Sequence, residues 1–258
     1  MQIITVTTDF GTQDWFVGTM KGVILGLAPR AAIVDITHEI PPRDIRAGAF
    51  ALAASYGHFP KGTVHVAVID PGVGSARKAI AVRTANYLFV GPDNGVLSFA
   101  LARERIKSVH RLEKRNYFLQ PVSQTFHGRD IFAPVAAHLS RGVPIRKFGA
   151  AQKGFVRLPW PQPCVRRNRI EGEVVFVDRF GNAISNIENG RVNTRRELEI
   201  FTGRKRLCQA KAFYQSVPTG QAVAVPGSSG FLEIAVNGGS AAKRFRLKIG
   251  HRISICWR

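Results

Sequence analysis

The stretch Val64–Ile80, VHVAVIDPGVGSARKAI, decides how the first half of this chain of 258 residues is interpreted. Apolar and β-branched residues run up to Asp70, where proline and glycine force a turn before Arg77. A run bounded in this way is typical of a buried strand in an α/β sheet. Ligands of such sheets bind beyond the carboxyl ends of the strands, so Asp70 and Arg77 stand where catalytic groups are placed. From these residues alone, a structural Asp70 that caps its own turn is an equally good interpretation.

Strand and helix patterns alternate over the first half of the chain. The predicted strands are Ile3–Thr8, Ile33–Ile36, Val64–Ile69 and Ile80–Thr84, and the predicted helices are Asp14–Leu27, Asp44–Tyr56 and Arg129–Leu139. Asp14 and Asp44 occupy positions expected of amino-terminal helix caps. The alternation predicts an α/β domain with a mainly parallel sheet and helices on both faces.

The chain changes character at residues 158–163, LPWPQP, where three prolines exclude a continuous helix or central strand. We therefore expect an amino-terminal domain over residues 1–157, a linker over 158–165 and a second domain over 166–258. Short apolar runs separated by glycine-rich turns predict a small antiparallel barrel or sandwich in the second domain. The expected strands are Gly172–Val177, Glu199–Phe201, Ala222–Val225, Phe231–Val236 and Phe245–Ile249.

The charge balance favours some partners over others. The chain holds 37 Lys+Arg against 17 Asp+Glu, a net charge of +20, with short basic clusters at 166–169, 204–206 and 243–246. Such clusters suit phosphate contacts, but no helix-turn-helix, zinc-finger or RNP-type motif accompanies them. We expect a solvated basic face with some nonspecific anion affinity, and no specific nucleic-acid binding.

Membrane, disulfide and metal signals are weak. No apolar run reaches the roughly 18 residues of a membrane span. The opening MQIITVTTDFG starts as a strand and lacks the pattern of a signal peptide, which predicts a cytoplasmic protein. Cys164, Cys208 and Cys256 are odd in number, far apart and without a CxxC pair, so neither a disulfide framework nor a zinc site is expected.

Three further segments carry polar groups in turns. Asp9 follows the first predicted strand, a position that suits hydrogen bonding to ribose hydroxyls, whereas the absence of GxGxxG or a P-loop argues against a phosphate cradle. His127 precedes an apparent helix start, which would lower its pKa and favour the neutral ring. The loop Asp178–Asn182 is a plain β-turn by itself, as are 228–231 and 237–239, yet these groups could also hold a base and an amino-acid head group.

Seven segments taken together resemble one known family. They are TTDFG (7–11), DITHEIPPRDIRAGAF (35–50), VIDPGVGSAR (68–77), VGPDNGVL (90–97), TFHGRDIFAPVAAHL (125–139), VDRFGNAISN (177–186) and SSGFLEIAVNGGSAA (228–242). In this order they resemble the S-adenosyl-L-methionine hydroxide adenosyltransferases, relatives of the fluorinating and chlorinating enzymes that use the same substrate.

The resemblance implies a fold, an assembly and a reaction. It implies an amino-terminal α/β domain, a carboxyl-terminal antiparallel β-barrel, and a homotrimer whose sites lie between the first domain of one subunit and the second domain of the next. It implies hydrolysis of S-adenosyl-L-methionine to adenosine and L-methionine, with no metal and no other cofactor. The alternatives are a halogenase-like activity on the same substrate and a protein that binds the nucleoside without turning it over.

The resemblance also implies residue roles. Asp70, Arg77 and His127 fall on the family's water-activating triad. Asp9 falls on the carboxylate that holds the ribose hydroxyls, and Asp14, Asp178 and Ser229 fall on positions that hold the methionine head group. Phe180, Asn182, Tyr214 and the backbone at Gly239 fall around the adenine.

Two positions separate hydrolysis from halogenation in this family. Halogenating members carry a tyrosine where this chain has Asp70, and the fluorinating type has a hydroxyl-bearing residue where it has Gly128. Both differences favour hydroxide as the nucleophile. Two departures from the fluorinating type concern substrate binding: Arg43 replaces an aromatic residue, and Gly230 replaces an arginine that pairs with the methionine carboxylate.

Overall fold

The computed structural model describes residues 2–192 and 197–257, and the chain divides into two compact units between Pro159 and Trp160. The first unit is built on a six-stranded sheet with the order β2-β1-β3-β5-β4-β6. Its strands are β1 (Gln2–Thr8), β2 (Ala31–Thr37), β3 (Val64–Val68), β4 (Ala79–Thr84), β5 (Leu88–Pro92) and β6 (Ile106–Arg111). The β1–β2, β1–β3 and β3–β5 pairs are parallel, which confirms a mainly parallel sheet.

Antiparallel pairing is confined to one side of this sheet. Strand β4 runs antiparallel to both β5 and β6. The link from β4 to β5 is a tight turn, in which the amide of Thr84 donates to the carbonyl of Tyr87 at 2.9 Å. A turn this short leaves no room for a crossover helix, so the two strands form a hairpin.

Helices cover both faces of the sheet. They are α1 (Phe16–Leu27), α2 (Ile45–Ser55), α3 (Ser98–Leu101) and α4 (Ala133–Ser140), the last preceded by a π-helical turn over Gly128–Phe132. Helices α1 and α4 pack together over a core that includes Ile4, Val6 and Val66, while α2 packs with α3. Single 3₁₀ turns occur at Tyr56–His58, Arg115–Tyr117 and Ile145–Lys147.

One predicted helix cap is confirmed and one is wrong. The side chain of Asp44 accepts a hydrogen bond from the amide of Ala47 at 2.9 Å and so caps α2. Asp14 does not cap α1, because the helix begins at Phe16 and Trp15 occupies the cap position without a side-chain bond. Trp15 already has right-handed helical angles, so the carboxylate of Asp14 lies one residue too early, and Asp14 is exposed.

The second unit is an antiparallel sheet that curls into a nearly closed barrel. Its order is β11-β10-β14-β8-β9-β13-β12, with β7 paired to β8. The strands are β7 (Cys164–Arg166), β8 (Arg169–Val177), β9 (Ala183–Glu188), β10 (Leu198–Thr202), β11 (Lys205–Gln209), β12 (Ala222–Pro226), β13 (Phe231–Val236) and β14 (Arg252–Trp257). The two end strands meet where the amide of Lys211 donates to the carbonyl of Ala224 at 2.8 Å. Single 3₁₀ turns lie at Asn189–Arg191 and Tyr214–Ser216.

The predicted strand Phe245–Ile249 is wrong. Phe245 ends a short helix, α5 (Ala241–Phe245), and the last strand starts only at Arg252. The side chain of Ser240 accepts a hydrogen bond from the amide of Lys243 and starts the helix, and Arg246, at a left-handed φ of 55°, ends it. The helix cap at Ser240 and the left-handed residue Arg246 thus outweigh the apolar pattern that predicted a strand. Among the described residues, no helix is both long and apolar enough to cross a membrane.

Candidate functional site

Arg77 joins Asp70 and His127 into one cluster at the end of β3. Its Nε lies 2.9 and 3.0 Å from the two carboxylate oxygens of Asp70, and its Nη2 lies 2.5 Å from Oδ2. The same Nη2 lies 2.7 Å from Nδ1 of His127. Both side chains of the ion pair are largely buried, with 5% of Asp70 and 11% of Arg77 exposed. The backbone carbonyl of Asp70 closes the turn, so the carboxylate is free to hold Arg77 and does not cap.

The turn between Asp70 and Arg77 is shaped to reach His127. Gly74 has a φ of 76°, and a Cβ there would collide with the backbone carbonyl of Gln124. Only glycine therefore lets this turn pack against the segment that leads into His127. The close approach explains how groups that are 50 residues apart in sequence come within hydrogen-bond distance.

The contact with Arg77 also sets the protonation of His127. A guanidinium has donors and no acceptor, so Nδ1 of His127 accepts and the ring carries its proton on Nε2. Burial, and then the charge of Arg77, lower the pKa of His127, while the carboxylates of Asp70 and Asp130 act in the opposite direction. The sequence predicted this direction from a helix start, whereas the structure attributes it to burial and to Arg77.

The cluster forms the polar wall of a small aromatic pocket. A cavity of 160 Å³ is lined by Asp70 and His127 together with Phe10, Phe16 and Phe126. The ring of Phe126 lies 5.8 Å from that of Phe10 and 5.1 Å from that of Phe16. Such a pocket combines apolar walls with one carboxylate and one imidazole, the composition typical of a small-molecule site.

Gly128 keeps this pocket open. A Cβ at this position would lie 3.1 Å from Sδ of Met20 and 3.1 Å from the ring of Phe126. Any larger residue would have to push one of these side chains aside. The glycine therefore preserves space beside His127.

Asp9 and Asp14 lie on the loop that follows β1. Oδ2 of Asp9 accepts a hydrogen bond from the amide of Arg43 at 2.8 Å, and Arg43 has a left-handed φ of 68°. Phe10, next to Asp9, lines the aromatic pocket. Neither Asp9 nor Asp14 lines that pocket itself, and Asp14 is exposed.

A second and larger pocket lies in the barrel unit. Its volume is 640 Å³, and it gathers the predicted residues Asp178, Phe180, Asn182, Tyr214 and Gly239. Phe180 is 79% exposed at its rim. The carboxylate of Asp178 accepts hydrogen bonds from the backbone amide of Asn182 at 2.8 Å and from its side-chain amide at 2.9 Å. Among the described residues, the side-chain oxygen of Asn182 and the second N–H of its amide have no hydrogen-bond partner, so this side chain can both accept from and donate to a ligand.

Ser229 lies apart from that lining. Its neighbour Ser228 lines the pocket, whereas the Ser229 hydroxyl is buried and has no hydrogen-bond partner among the described residues. A buried hydroxyl without a partner is costly, which is why such groups mark places where a water or a ligand binds.

Glu233 is a pocket residue that was not predicted from the sequence. This residue lines the larger pocket, is 5% exposed and accepts a hydrogen bond from the Tyr214 hydroxyl at 2.6 Å. Burial raises the pKa of Glu233; the Tyr214 hydrogen bond opposes this shift, and the charge of Asp178 adds to it. The available signal was the acid itself, since Glu233 interrupts the otherwise apolar strand FLEIAV of β13.

Comparison with known proteins gives consistent matches over both units. Residues 4–149 match the family model described as the SAM hydroxide adenosyltransferase N-terminal domain, and residues 172–254 match that of the C-terminal domain. The chain is 39% identical to the (R)-S-adenosyl-L-methionine hydrolase of Salinispora arenicola, over 98% of this chain and 97% of the relative. It is 38% identical to the hydrolase of the same name from Thermus thermophilus, over 97% and 98%. The fluorinase of Nocardia brasiliensis is 26% identical over 98% and 96%.

A solved structure shares the whole architecture. The crystal structure of an uncharacterized conserved protein from Thermotoga maritima matches with a TM-score of 0.94 and 39% identity, covering 98% of this chain and 99% of that one. A conserved hypothetical protein from Thermus thermophilus matches with a TM-score of 0.81 and 35% identity, over 99% and 100% of the two chains.

Proposed function

Because this chain belongs to the S-adenosyl-L-methionine hydroxide adenosyltransferase family, we propose that it hydrolyses S-adenosyl-L-methionine to adenosine and L-methionine. The observation that carries the proposal is the Asp70–Arg77–His127 cluster, in which Asp70 and His127 line the aromatic pocket. Relatives named as hydrolases are 38–40% identical, whereas the fluorinases are 25–26% identical. That order favours hydrolysis over halogenation.

The leaving group of this reaction needs no assistance from the protein. A sulfonium departs as a neutral thioether, so no general acid is needed. A water oxygen forms the new bond to the 5′ carbon of the ribose, and the electrons of the broken carbon–sulfur bond go to sulfur. Holding that oxygen in line behind the carbon supplies much of the rate, since alignment replaces a bimolecular encounter.

The water must also lose a proton. Asp70 is the group of the cluster that can accept it, because its carboxylate keeps lone pairs beyond those that Arg77 engages. Neutral His127 has Nδ1 engaged by Arg77 and its proton on Nε2, so it orients the water by donating from Nε2, and it takes the proton only if Nδ1 leaves Arg77. Arg77 stabilises the developing hydroxide by its charge. A base within hydrogen-bond reach contributes typically about 10²–10⁴-fold. A carboxylate on this wall also repels halide ions, which favours water as the nucleophile.

Substrate binding is divided between the two units in this proposal. Asp9 holds the ribose hydroxyls, and Asp14, Asp178 and Ser229 hold the methionine head group; the unpartnered hydroxyl of Ser229 supports that role. Phe180, Asn182, Tyr214 and Gly239 surround the adenine, with the free oxygen of Asn182 accepting from its exocyclic amine. The amide of Gly239 already donates to the carbonyl of Val236. Gly239 therefore contacts the adenine through the surface of its backbone and not through a hydrogen bond from that amide.

One ligand must therefore contact residues of both units. As in the family resemblance, we propose a cytoplasmic homotrimer in which the first unit of one subunit and the second unit of its neighbour share each site. The location of the two candidate pockets on separate units supports a composite site.

Product analysis tests the reaction directly. The purified protein is incubated with S-adenosyl-L-methionine in heavy-oxygen water, with and without chloride or fluoride, and the products are separated by chromatography. We expect adenosine that carries one solvent oxygen, together with L-methionine. A 5′-halogenated nucleoside as the main product would show that the protein is a halogenase and not a hydrolase. Unchanged substrate would indicate a protein that binds the nucleoside without turning it over.

The stereochemistry tests the mechanism. A substrate stereospecifically deuterated at the 5′ carbon should be inverted by a single displacement. Retention at that carbon would instead require two displacements and a covalent enzyme intermediate.

A further inference from the structure

A basic groove lies at the other end of the sheet from Asp70. Lys61 lies shortly before the strand β3, and Asp70 lies shortly after it; Arg83 lies near the end of β4, where the hairpin turns back. Two adjoining cavities of 560 and 380 Å³ share Arg83 and Arg146 in their lining. We call this surface the basic groove; it is also lined by Lys61 in the larger cavity and by Lys107 in the smaller one.

The charge in this groove is of one sign. Of the residues that the structure describes, four cationic side chains and no aspartate or glutamate line the two cavities. Among the described residues, none of the four has a carboxylate within ion-pair distance, whereas Arg111, Arg169 and Arg206 elsewhere on the protein do. All four are exposed. Four cations of one sign without counter-charges create a local positive potential that attracts anions.

The groove has room for an extended ligand. Each cavity falls within the size range of small-ligand sites, and the two adjoin, since they share six lining residues. A chain of phosphates could pass Lys61, Arg83, Arg146 and Lys107 in turn. Lysine and arginine bind such groups by charge and by donated hydrogen bonds.

The lining also indicates which part of a ligand the groove contacts. The two aromatic rings of the lining, Tyr87 and His110, are each 8% exposed, so neither offers a face on which a base could stack. The rest of the larger cavity mixes polar residues, Thr84 and Asn86 among them, with aliphatic ones such as Leu88 and Val143. Without a stacking platform, a nucleic acid would be held by its backbone and without sequence preference.

We propose that the basic groove binds linear chains of phosphate groups, either the backbone of single-stranded nucleic acid or free polyphosphate. This function is separate from the proposed hydrolysis, because the groove lies beyond the strand ends opposite to the candidate triad. The site accounts for part of the net charge of +20, which the hydrolysis does not use.

The test compares two variants with the same change of charge. The groove variant is Arg83→Glu with Arg146→Glu, and the control is Arg167→Glu with Arg204→Glu, two exposed arginines in turns of the barrel unit. Binding of a fluorescein-labelled oligouridine of about 12 nucleotides is measured by anisotropy over a range of salt concentrations. Tripolyphosphate is the competitor that distinguishes free polyphosphate from nucleic acid.

The groove variant should bind roughly tenfold or more weakly than the wild type, and the control should stay close to it. The slope of the logarithm of the association constant against the logarithm of salt concentration should be about −0.7 per cation engaged. Because the groove variant lacks two of these cations, the magnitude of its slope should be smaller by about 1.4. Competition by tripolyphosphate at equal phosphate concentration would identify free polyphosphate as a ligand, and its failure would identify the nucleic-acid backbone. Equal weakening of both variants would show that only the net charge matters, and would overturn the site, as would a wild type that does not bind.

Discussion

At the scale of single residues, Arg77 holds the candidate triad together. It donates to Asp70 through two nitrogens and to His127 through one of them. Its guanidinium also lies over the ring of Phe132, 5.3 Å from the centroid. Since planar bidentate pairing needs the guanidinium fork, a lysine at this position would keep the charge but lose the geometry.

We predict that Asp70→Asn, Arg77→Lys and His127→Ala each reduce turnover of S-adenosyl-L-methionine by about 10²–10⁴-fold. Groups that act as one unit give losses that are far from additive, so the double variants should be little worse than the single ones. Single-turnover rates and adenosine dissociation constants separate chemistry from binding. If adenosine binding fell as steeply as the rate, the three residues would be binding groups and the triad assignment would be wrong.

The Tyr214–Glu233 pair is a second prediction at this scale. In the proposed site Tyr214 lies beside the adenine, and its hydroxyl donates to the buried carboxylate of Glu233 at 2.6 Å. Glu233→Gln should raise KM roughly tenfold with little change in kcat, because a charge-assisted hydrogen bond contributes about 1.5–3 kcal/mol. Tyr214→Phe is the matched variant that removes the other partner, and the double variant should resemble each single one. A fall in kcat at unchanged KM would contradict a role confined to substrate binding.

At the scale of elements, patterns that depend on local sequence were predicted well. The apolar runs of β1 and β3 are buried on both sides, which is why they read clearly as strands. The strand Phe231–Val236 has the predicted bounds. The turn chemistry at Gly181, with its φ of 82°, also matched its sequence.

Elements whose identity depends on distant contacts were not predicted. Strand β9, AISNIE, carries Ser185 and Asn186, which look exposed in sequence but are buried. Ser185 donates to the carbonyl of Leu232, and Asn186 donates to that of Pro161. No local pattern reveals such partners. For the same reason Asp70 could be found from the strand it follows, whereas Glu233 required a view of the pocket.

His65 gives a prediction about the pairing of β1 and β3. Its Nδ1 lies 2.8 Å from the hydroxyl of Thr5 on the neighbouring strand, and its ring is fully buried among aromatic rings. Burial lowers the pKa of His65 to about 4. A histidine whose folded pKa lies below its unfolded pKa contributes stability above about pH 6.5, and that stability is lost as the pH falls towards about 4.

Between pH 7 and pH 5 this single group should cost the folded protein about 2 kcal/mol. Urea unfolding at the two pH values measures the loss in the wild type. The matched variant Thr5→Val with His65→Phe removes both hydrogen-bond partners and the titrating group, so its loss over the same interval should be smaller by that amount. Equal losses in both proteins would mean that His65 does not titrate in this range.

At the scale of the whole molecule, the two candidate pockets lie on separate compact units. Asp70 and His127 belong to the first unit, and Asp178 and Asn182 belong to the second. In the proposed function one substrate contacts both sets, so the proposed trimer makes activity depend on assembly. Contacts between unlike surfaces that close after three subunits form a cyclic ring, and every site in it contains residues of two chains.

This arrangement predicts complementation between inactive chains. His127→Ala and Asp178→Ala subunits are each expected to assemble into inactive trimers. When the two are mixed, dissociated and reassembled, some sites of the hybrid trimers take the first unit from one variant and the second unit from the other. In such a site the Asp178→Ala chain supplies His127 and the His127→Ala chain supplies Asp178, so both residues are intact. Partial hydrolysis of S-adenosyl-L-methionine should therefore return, while each variant treated alone stays inactive.

Wild-type chains taken through the same procedure control for recovery. If they regain activity and the hybrids do not, each site is built within a single chain and the shared-site proposal fails.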